Sequence, residues 1–198
     1  MLSDAQLMEL VQAGQTGLFD ELIIRHRPGL LRFAGSSLAD RDAAEDAVQE
    51  ALLAAFAARR TYNPRFAFST WVYTILLNVC RRHRRRRQPM GDSGGDLAHW
   101  PAGGESPLDQ LLRSETRELL AELLAELPDV EADALRLRFF AGLPFDEIAL
   151  AMNSSVTGAK VRVRRGLERL AARAARIHTT AGDCHDHSLS PHARRSTP

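Results

Sequence analysis

Every apolar stretch of this chain is spaced for a helix. Apolar side chains recur three and four residues apart, and the stretches stop at Gly14, Pro64, Pro128 and Gly142, residues that end helices. No segment alternates as a half-buried strand does. Ala and Leu recur constantly, aromatic residues are only 6%, and 44% of the chain is hydrophobic, enough to fill a core. At 198 residues there is room for one ordinary domain or two small ones. The expected class is all-α.

Leu7, Leu10 and Val11 mark a first helix over 3–13, stopping at Gly14. Thr16 is placed to cap a second, with Phe19, Leu22 and Ile23 on one face. Pro28 interrupts it, and Leu30, Leu31, Phe33 and Ala34 resume the pattern, as one kinked helix or as two. Asp42 to Glu45 reads as a capping box with Asp42 as cap, opening a third helix that runs to about Arg60. Its stripe is Ala47, Val48, Ala51, Leu52, Ala55 and Phe56. Ser69 caps a fourth helix with Trp71, Val72, Ile75, Leu76 and Val79 inward, ending in the run Arg81 to Arg87.

Residues 89–106 are rich in Gly, Pro, Asp and Ser without an apolar period, the pattern of a flexible linker. A leucine-lined helix then opens at Ser106-Pro107 and ends at Pro128, and further helices are expected over 131–140, 144–152 and 156–176. The expected architecture is two small helical domains, 1–88 and 107–177, joined by the flexible linker 89–106 and followed by a disordered His-containing tail, 178–198.

The formal charge of +1 hides a strong asymmetry. Residues 64–88 carry seven basic and no acidic residues, and 154–177 carry seven basic and one acidic, whereas 89–153 carry four basic and thirteen acidic. All the basic residues but Lys160 are Arg, whose planar fork suits phosphates and guanine edges. A short apolar helix, a turn at Asn153 and a long helix with Lys160, Arg162, Arg164 and Arg165 near its start have the shape of a helix-turn-helix. The second helix of that motif enters the major groove by its first turns. In the first domain, the aromatic stretch from Phe66 to Tyr73 followed by arginines suits single-stranded DNA, where rings stack on bases and guanidinium groups track the backbone. Trp71 also lies on the apolar face with Ile75, as a core residue would. Asp42, Glu45, Asp46, Gln49 and Glu50 set acid along the third helix. Part of that compensates the helix dipole, and Asp46, Gln49 and Glu50 fall at the spacing of a docking face for a basic partner helix.

In this order these strings resemble bacterial RNA polymerase sigma factors of the sigma-70 family, in the compact extracytoplasmic-function (ECF) group, over residues 7–173. Asp42 to Glu50 is similar to the family's region 2.2, which implies that Asp42, Glu45, Asp46, Gln49 and Glu50 bind the clamp helices of the polymerase β′ subunit. Phe68 to Asn78 with the arginines that follow is similar to regions 2.3 and 2.4. The resemblance implies that Phe68, Trp71, Asn78, Arg81, Arg82, Arg84 and Arg85 melt and read the −10 element. Leu127-Pro128, Leu135 to Arg138, Gly142 to Ala149 and Val156 to Arg162 resemble region 4. That implies −35 recognition by Thr157, Gly158, Lys160, Arg162, Arg164 and Arg165, and contact with the polymerase β flap. The chain departs from the family at Thr157-Gly158-Ala159-Lys160, where Gly-Thr-Val-Lys is usual, and at Arg81-Arg82-His83, where an acid is frequent. The implied partners are core RNA polymerase, promoter DNA and an anti-sigma factor. An autonomous helix-turn-helix regulator would account for 108–176 but leave 42–50 and 66–87 unexplained.

The chain shows no Gly-rich phosphate loop, no nucleophile motif and no carboxylate set at metal spacing in its helical part, so no enzyme activity, cofactor or metal is expected. Two cysteines cannot form a disulfide framework, and the start Met-Leu-Ser-Asp lacks the regions of a signal peptide. No apolar run approaches the ~20 residues of a membrane span. The expected location is the cytoplasm. Cys80 beside Val79 is expected to be packed; Cys184, His185 and His187 leave metal binding or oxidation sensing open, although they lack the paired spacing of a structural zinc site and a solvated tail is the expectation.

Overall fold

The computed structural model describes residues 1–38, 40–87 and 119–183, and every regular element among them is helical. Helix α1 (Asp4–Gln12) opens on a capping box. The Gln6 N–H donates to Ser3 Oγ (3.2 Å), and the Ser3 N–H donates to Gln6 Oε1 (2.9 Å). The helix closes at Gly14, whose φ of +108° lets the Gln15 N–H fold back to the Leu10 carbonyl (3.0 Å). A 3₁₀ turn, Thr16–Leu18, leads into α2 (Phe19–Ser37). Thr16 is therefore part of a turn and does not cap α2, whose cap position, Leu18, makes no side-chain bond. Pro28 lies inside α2 without dividing it. Pro28 is on the solvent side, and Ile24, whose carbonyl it deprives of a donor, is 74% exposed, so water can replace the lost bond.

Helix α3 (Arg41–Ala57) is capped by Asp40, whose carboxylate accepts the Asp42 N–H at 3.0 Å. This corrects the expectation of Asp42 as cap: Asp40 has the extended backbone a cap needs, and Asp42 is already helical. A second 3₁₀ turn, Arg59–Thr61, precedes α4 (Phe68–Arg87), which begins one residue before the expected cap Ser69. Leu7, Met8, Leu22, Leu30, Phe33, Val48, Leu76 and Leu77 are all but fully buried at the centre of α1–α4.

The second module comprises α5 (119–125), α6 (Asp129–Phe139), α7 (Phe145–Ala151) and α8 (Val156–Asp183). The turn after α7 is set by Asn153 at φ +48°, a left-handed conformation that Asn tolerates better than most residues. There the Ser154 N–H bonds the Ala149 carbonyl (2.8 Å) and the Asn153 N–H bonds that of Leu150 (3.1 Å). Ser155 Oγ then accepts the Gly158 N–H (3.0 Å) and starts α8. Helix α8 continues to Asp183, beyond the expected helix end near 176. Extending a helix from a packed stem is far easier than nucleating one, and no proline intervenes before Pro191. The expected linker 89–106, the helix start at Ser106-Pro107, and Cys184, His185 and His187 lie outside the described residues.

The two modules touch: α7 packs on α4 and α6 on α2. Leu137, Leu143, Ile148 and Ala159 join the same apolar cluster as the core of α1–α4. Within the second module, α8 crosses α6 at Gly166, where an added Cβ would lie 2.8 Å from Leu135 Cδ1 and 3.0 Å from its Cγ. Gly166→Val should lower stability by about 1–3 kcal/mol through overpacking of this crossing. Urea denaturation checks it, and an unchanged midpoint would mean that the crossing is looser than described.

Candidate nucleic-acid interface

The aromatic start of α4 carries two buried rings, Phe68 and Tyr73, and one half-buried ring, Trp71. Phe68 is 3% exposed, its ring set against Phe19, His26, Tyr62 and Trp71 at centroid distances of 5.0–6.5 Å. It cannot stack on a base in this conformation, which corrects its assignment to the DNA-contacting set, because rings from α2 and the 59–66 segment meet it as well as Trp71 of its own helix. Trp71 is half-buried, its ring 5.4 Å from that of Tyr62 and 5.8 Å from that of Phe68. Asn78, Arg82 and Arg85 are exposed further along α4.

On α3, Asp42, Asp46 and Gln49 are exposed, Glu45 pairs with Arg41 at 3.0 Å, and Glu50 is held by α4. Glu50 bonds Arg82, and His83 Nε2 lies 3.0 Å from its other oxygen. The His83 hydrogen bond, with the charges of Arg82, His83 and Arg86, keeps the Glu50 carboxyl below its ordinary range against the opposing effect of burial. Glu50 thus ties α3 to α4. Beside Gln49 runs a groove of about 540 Å³ between α2 and α3, with Ile23, Val48, Leu52, Leu53 and Phe56 in its walls. Leu53 is 65% exposed. The sequence signal for this groove was a leucine outside the buried stripe of its helix.

On α8, Thr157, Lys160, Arg164 and Arg165 are exposed and Gly158 is half-buried. The Lys160 ammonium stands 5.8 Å from the Phe145 ring, and Arg164 pairs with Glu168 at 3.6 Å. Arg162 differs from these. Its Nη1 is buried without a hydrogen-bond partner, and its side chain faces a cavity of about 300 Å³ shared with Arg81, Arg85, Asp129, Asp133 and Met152.

Of the residues that join the modules, Arg81 and Arg84 were read from the sequence only as DNA contacts, and Asp133 was missed. Asp133, with no exposed surface, receives Arg81 Nε (2.7 Å), Arg84 Nη2 (3.0 and 3.2 Å) and Arg136 Nη1 (3.3 Å). Arg136 Nε donates to the Ser36 carbonyl (2.9 Å), Arg84 Nη1 to Ser37 Oγ, and Thr70 Oγ1 to Glu147. Burial pulls the Arg136 guanidinium down to about 10, with the Asp133 charge opposing, so it stays protonated at neutral pH. The signal was available in principle: Asp133 and Arg136 interrupt the apolar face of a helix buried almost all round.

Sequence comparison gives these features a common context. The profile described as Sigma-70 region 2 matches residues 22–89, and that described as Sigma-70, region 4 matches 117–170. The RNA polymerase sigma-H factor of Pseudomonas aeruginosa is 32% identical over 83% of this chain and 90% of its own length. The ECF RNA polymerase sigma-E factor of Escherichia coli is 28% identical over 84% of this chain and 92% of its own. Among solved structures, the sigma factor RpoE of Bartonella quintana, in complex with the anti-sigma factor NepR, aligns with a TM-score of 0.62 at 25% identity, covering 77% of this chain and 93% of that one. CnrH, in complex with the cytosolic domain of CnrY, shares the fold with a TM-score of 0.70 at 23% identity, covering 87% and 97%. The chain belongs to the sigma-70 family and is a sigma factor of the extracytoplasmic-function type. Among the described residues no helix is long and apolar enough to cross a membrane.

Cys80 lies beneath Arg84 with no exposed surface, and burial raises its thiol to about 11 despite the nearby Arg84 and Ser37. In a Cys184→Ser chain, iodoacetamide at pH 8 should leave Cys80 unmodified until denaturant is added. Labelling of the native protein at the rate of a free thiol would contradict the packing of α4 on α2.

Proposed function

We propose that this sigma factor binds core RNA polymerase through α3, opens and reads the −10 element with α4, and reads the −35 element with α8. Asp46 and Gln49, exposed beside the apolar groove, dock the β′ clamp helices; Asp42 and Glu45 add to the acidic field, and Glu50 acts through its bracing of α4. Trp71 stacks on an unpaired base, Asn78 reads a base edge, and Arg81, Arg82, Arg84 and Arg85 hold the backbone, with Phe68 fixing the Trp71 ring from behind. On α8, Lys160 and Arg162 with Thr157, Gly158, Arg164 and Arg165 meet the major groove and its phosphates. The second module also touches the β flap, and an anti-sigma factor is a further partner. The chain acts by binding rather than by a reaction of its own, in the cytoplasm where the polymerase is.

The observation that carries this reading is the pairing, on one chain, of an arginine-ended α4 behind an acidic α3 with a basic-helix turn motif, each matching its own sigma region in order. The autonomous-regulator alternative leaves the first match without a role. Asp46→Lys should weaken binding to core polymerase by about tenfold, a change of about 1.4 kcal/mol, with no change in thermal midpoint because the side chain is exposed. Asn78→Ala should reduce run-off transcription from a duplex promoter and relax −10 preference while leaving core binding intact. Wild-type core affinity for Asp46→Lys would place the docking face elsewhere.

A further inference from the structure

The ring that the proposed function gives to strand opening stands in the first turn of α4. The helical ladder only begins there: the Trp71 N–H reaches the Ala67 carbonyl at 3.3 Å, long for such a bond. A helical side chain leans toward the N-terminus of its helix, so the Trp71 ring comes to rest on what precedes it, Phe68 and Tyr62. Those two rings also meet each other, at 6.1 Å. The direction of Trp71 is set by whatever fixes that pair.

Both are fixed from α1. Asp4, in the first turn of α1, meets His26 Nε2 of α2 at 2.6 Å, and the His26 ring lies 5.0 Å from the Phe68 ring. Arg25 Nη1 donates to the other Asp4 oxygen and to the Leu2 carbonyl, both at 2.9 Å. Burial opposes the charge on Asp4, but the hydrogen bonds from His26 and Arg25 outweigh it and hold the carboxyl below its ordinary value. At neutral pH Asp4 is therefore the acceptor and His26 Nε2 the donor. At the other end of α1, Gln12 Nε2 donates to the carbonyls of Arg59 and Tyr62, each at 2.9 Å. The Tyr62 hydroxyl donates to the Phe66 carbonyl (2.9 Å), so this residue is held at both ends. Docking of α1 itself rests on Leu7, Met8 and Val11, which are buried. The helix lies wholly before residue 22, where the match to Sigma-70 region 2 begins.

We propose that Asp4 and Gln12 of α1 are positioning residues for promoter opening: Asp4 through His26 and Phe68, and Gln12 through Tyr62, hold the Trp71 ring in the direction in which it meets an unpaired base. This positioning rests on the reading that Trp71 stacks on a −10 base. A ring held in place before the base arrives loses less freedom on stacking than one that turns. Neither side chain touches DNA, and the effect of both passes through the aromatic contacts.

The test compares holoenzymes assembled from core polymerase and the full chain. Asp4→Ala combined with Gln12→Ala should slow open-complex formation on a duplex promoter by about fivefold, as partial loss of one stacking contact would. On a promoter opened beforehand at the −10 element the double change should cost less than about twofold, and core affinity should stay that of the wild type. Added to Trp71→Ala it should cost nothing further, because the ring it acts through is gone. In a Trp100→Phe chain, which leaves Trp71 as the only tryptophan, acrylamide should quench the fluorescence more readily once Asp4 and Gln12 are changed. Glu9→Gln, at an exposed acid on the same helix, should do none of this. Where Trp71→Ala itself slows opening, a wild-type rate for the double change overturns the proposal. So does a loss that is as large on the opened promoter or in the Trp71→Ala chain, since that is general damage to the fold. If Trp71→Ala opens duplex promoters at the wild-type rate while the double change loosens the ring, the hold of α1 on Trp71 stands and the role of Trp71 in opening falls. If the doubly changed chain does not fold, His26→Gln decides, because it keeps a donor for Asp4 and removes the ring against Phe68. Slower duplex opening with a more readily quenched Trp71 then supports the proposal, and wild-type behaviour overturns it.

Discussion

The Asp133 carboxylate, wholly enclosed, is shared by Arg81 and Arg84 of one module and by Arg136 of its own helix, and the relation between the modules depends on that sharing. A buried charge is tolerated only when paired and hydrogen-bonded, and removing one partner of such a pair costs about 3–5 kcal/mol. Here each side supplies what the other lacks. The first module brings arginines without acid nearby on α4, and the second brings an acid on a helix that buries nearly every residue from Glu131 to Leu137. The apolar cluster that runs through Leu137, Leu143 and Ile148 adds area to the contact but little direction. The ionic set supplies the direction.

That arrangement separates the surfaces the chain needs outside itself. The α3 face with Asp46, Gln49 and the apolar groove lies open, apart from the buried ions. The α4 and α8 arginines nearest the contact, Arg81, Arg84 and Arg162, are turned inward, whereas Arg82, Arg85, Lys160, Arg164 and Arg165 remain at the surface. Glu50 occupies a middle position, an acid of α3 bonded to Arg82 and to His83 of α4. It joins α3 to α4 by a direct ionic contact.

The helices were legible in the sequence because their causes are local. Ser3 with Gln6, Gly14, and Asn153 between two short apolar runs each fix a helix end by backbone chemistry that needs no distant partner. The choice between Asp40 and Asp42 as cap was not legible, since both are acids at the same boundary and only the backbone angle decides. The site was legible as a set of residue types and less so as a surface. Phe68 reads like Trp71 in sequence, and only the rings of Phe19, His26 and Tyr62 from other elements bury it. Arg162 reads like Arg164 and Arg165, yet α8's packing on α6 turns it to the interior of the contact. Asp133 was not legible as the acid that joins the modules because two of its partners, Arg81 and Arg84, lie about 50 positions away.

On the proposed function α4 and α8 act at separate promoter elements, so the contact between the modules is expected to separate when the sigma factor works. A Cys184→Ser chain carrying labels at Arg60→Cys and Ala172→Cys, both exposed and one in each module, reports the separation by energy transfer. Free in solution the pair should give a single short distance, and with core polymerase and a promoter bound that distance should rise by tens of Å. An unchanged distance in the transcribing complex would contradict the account.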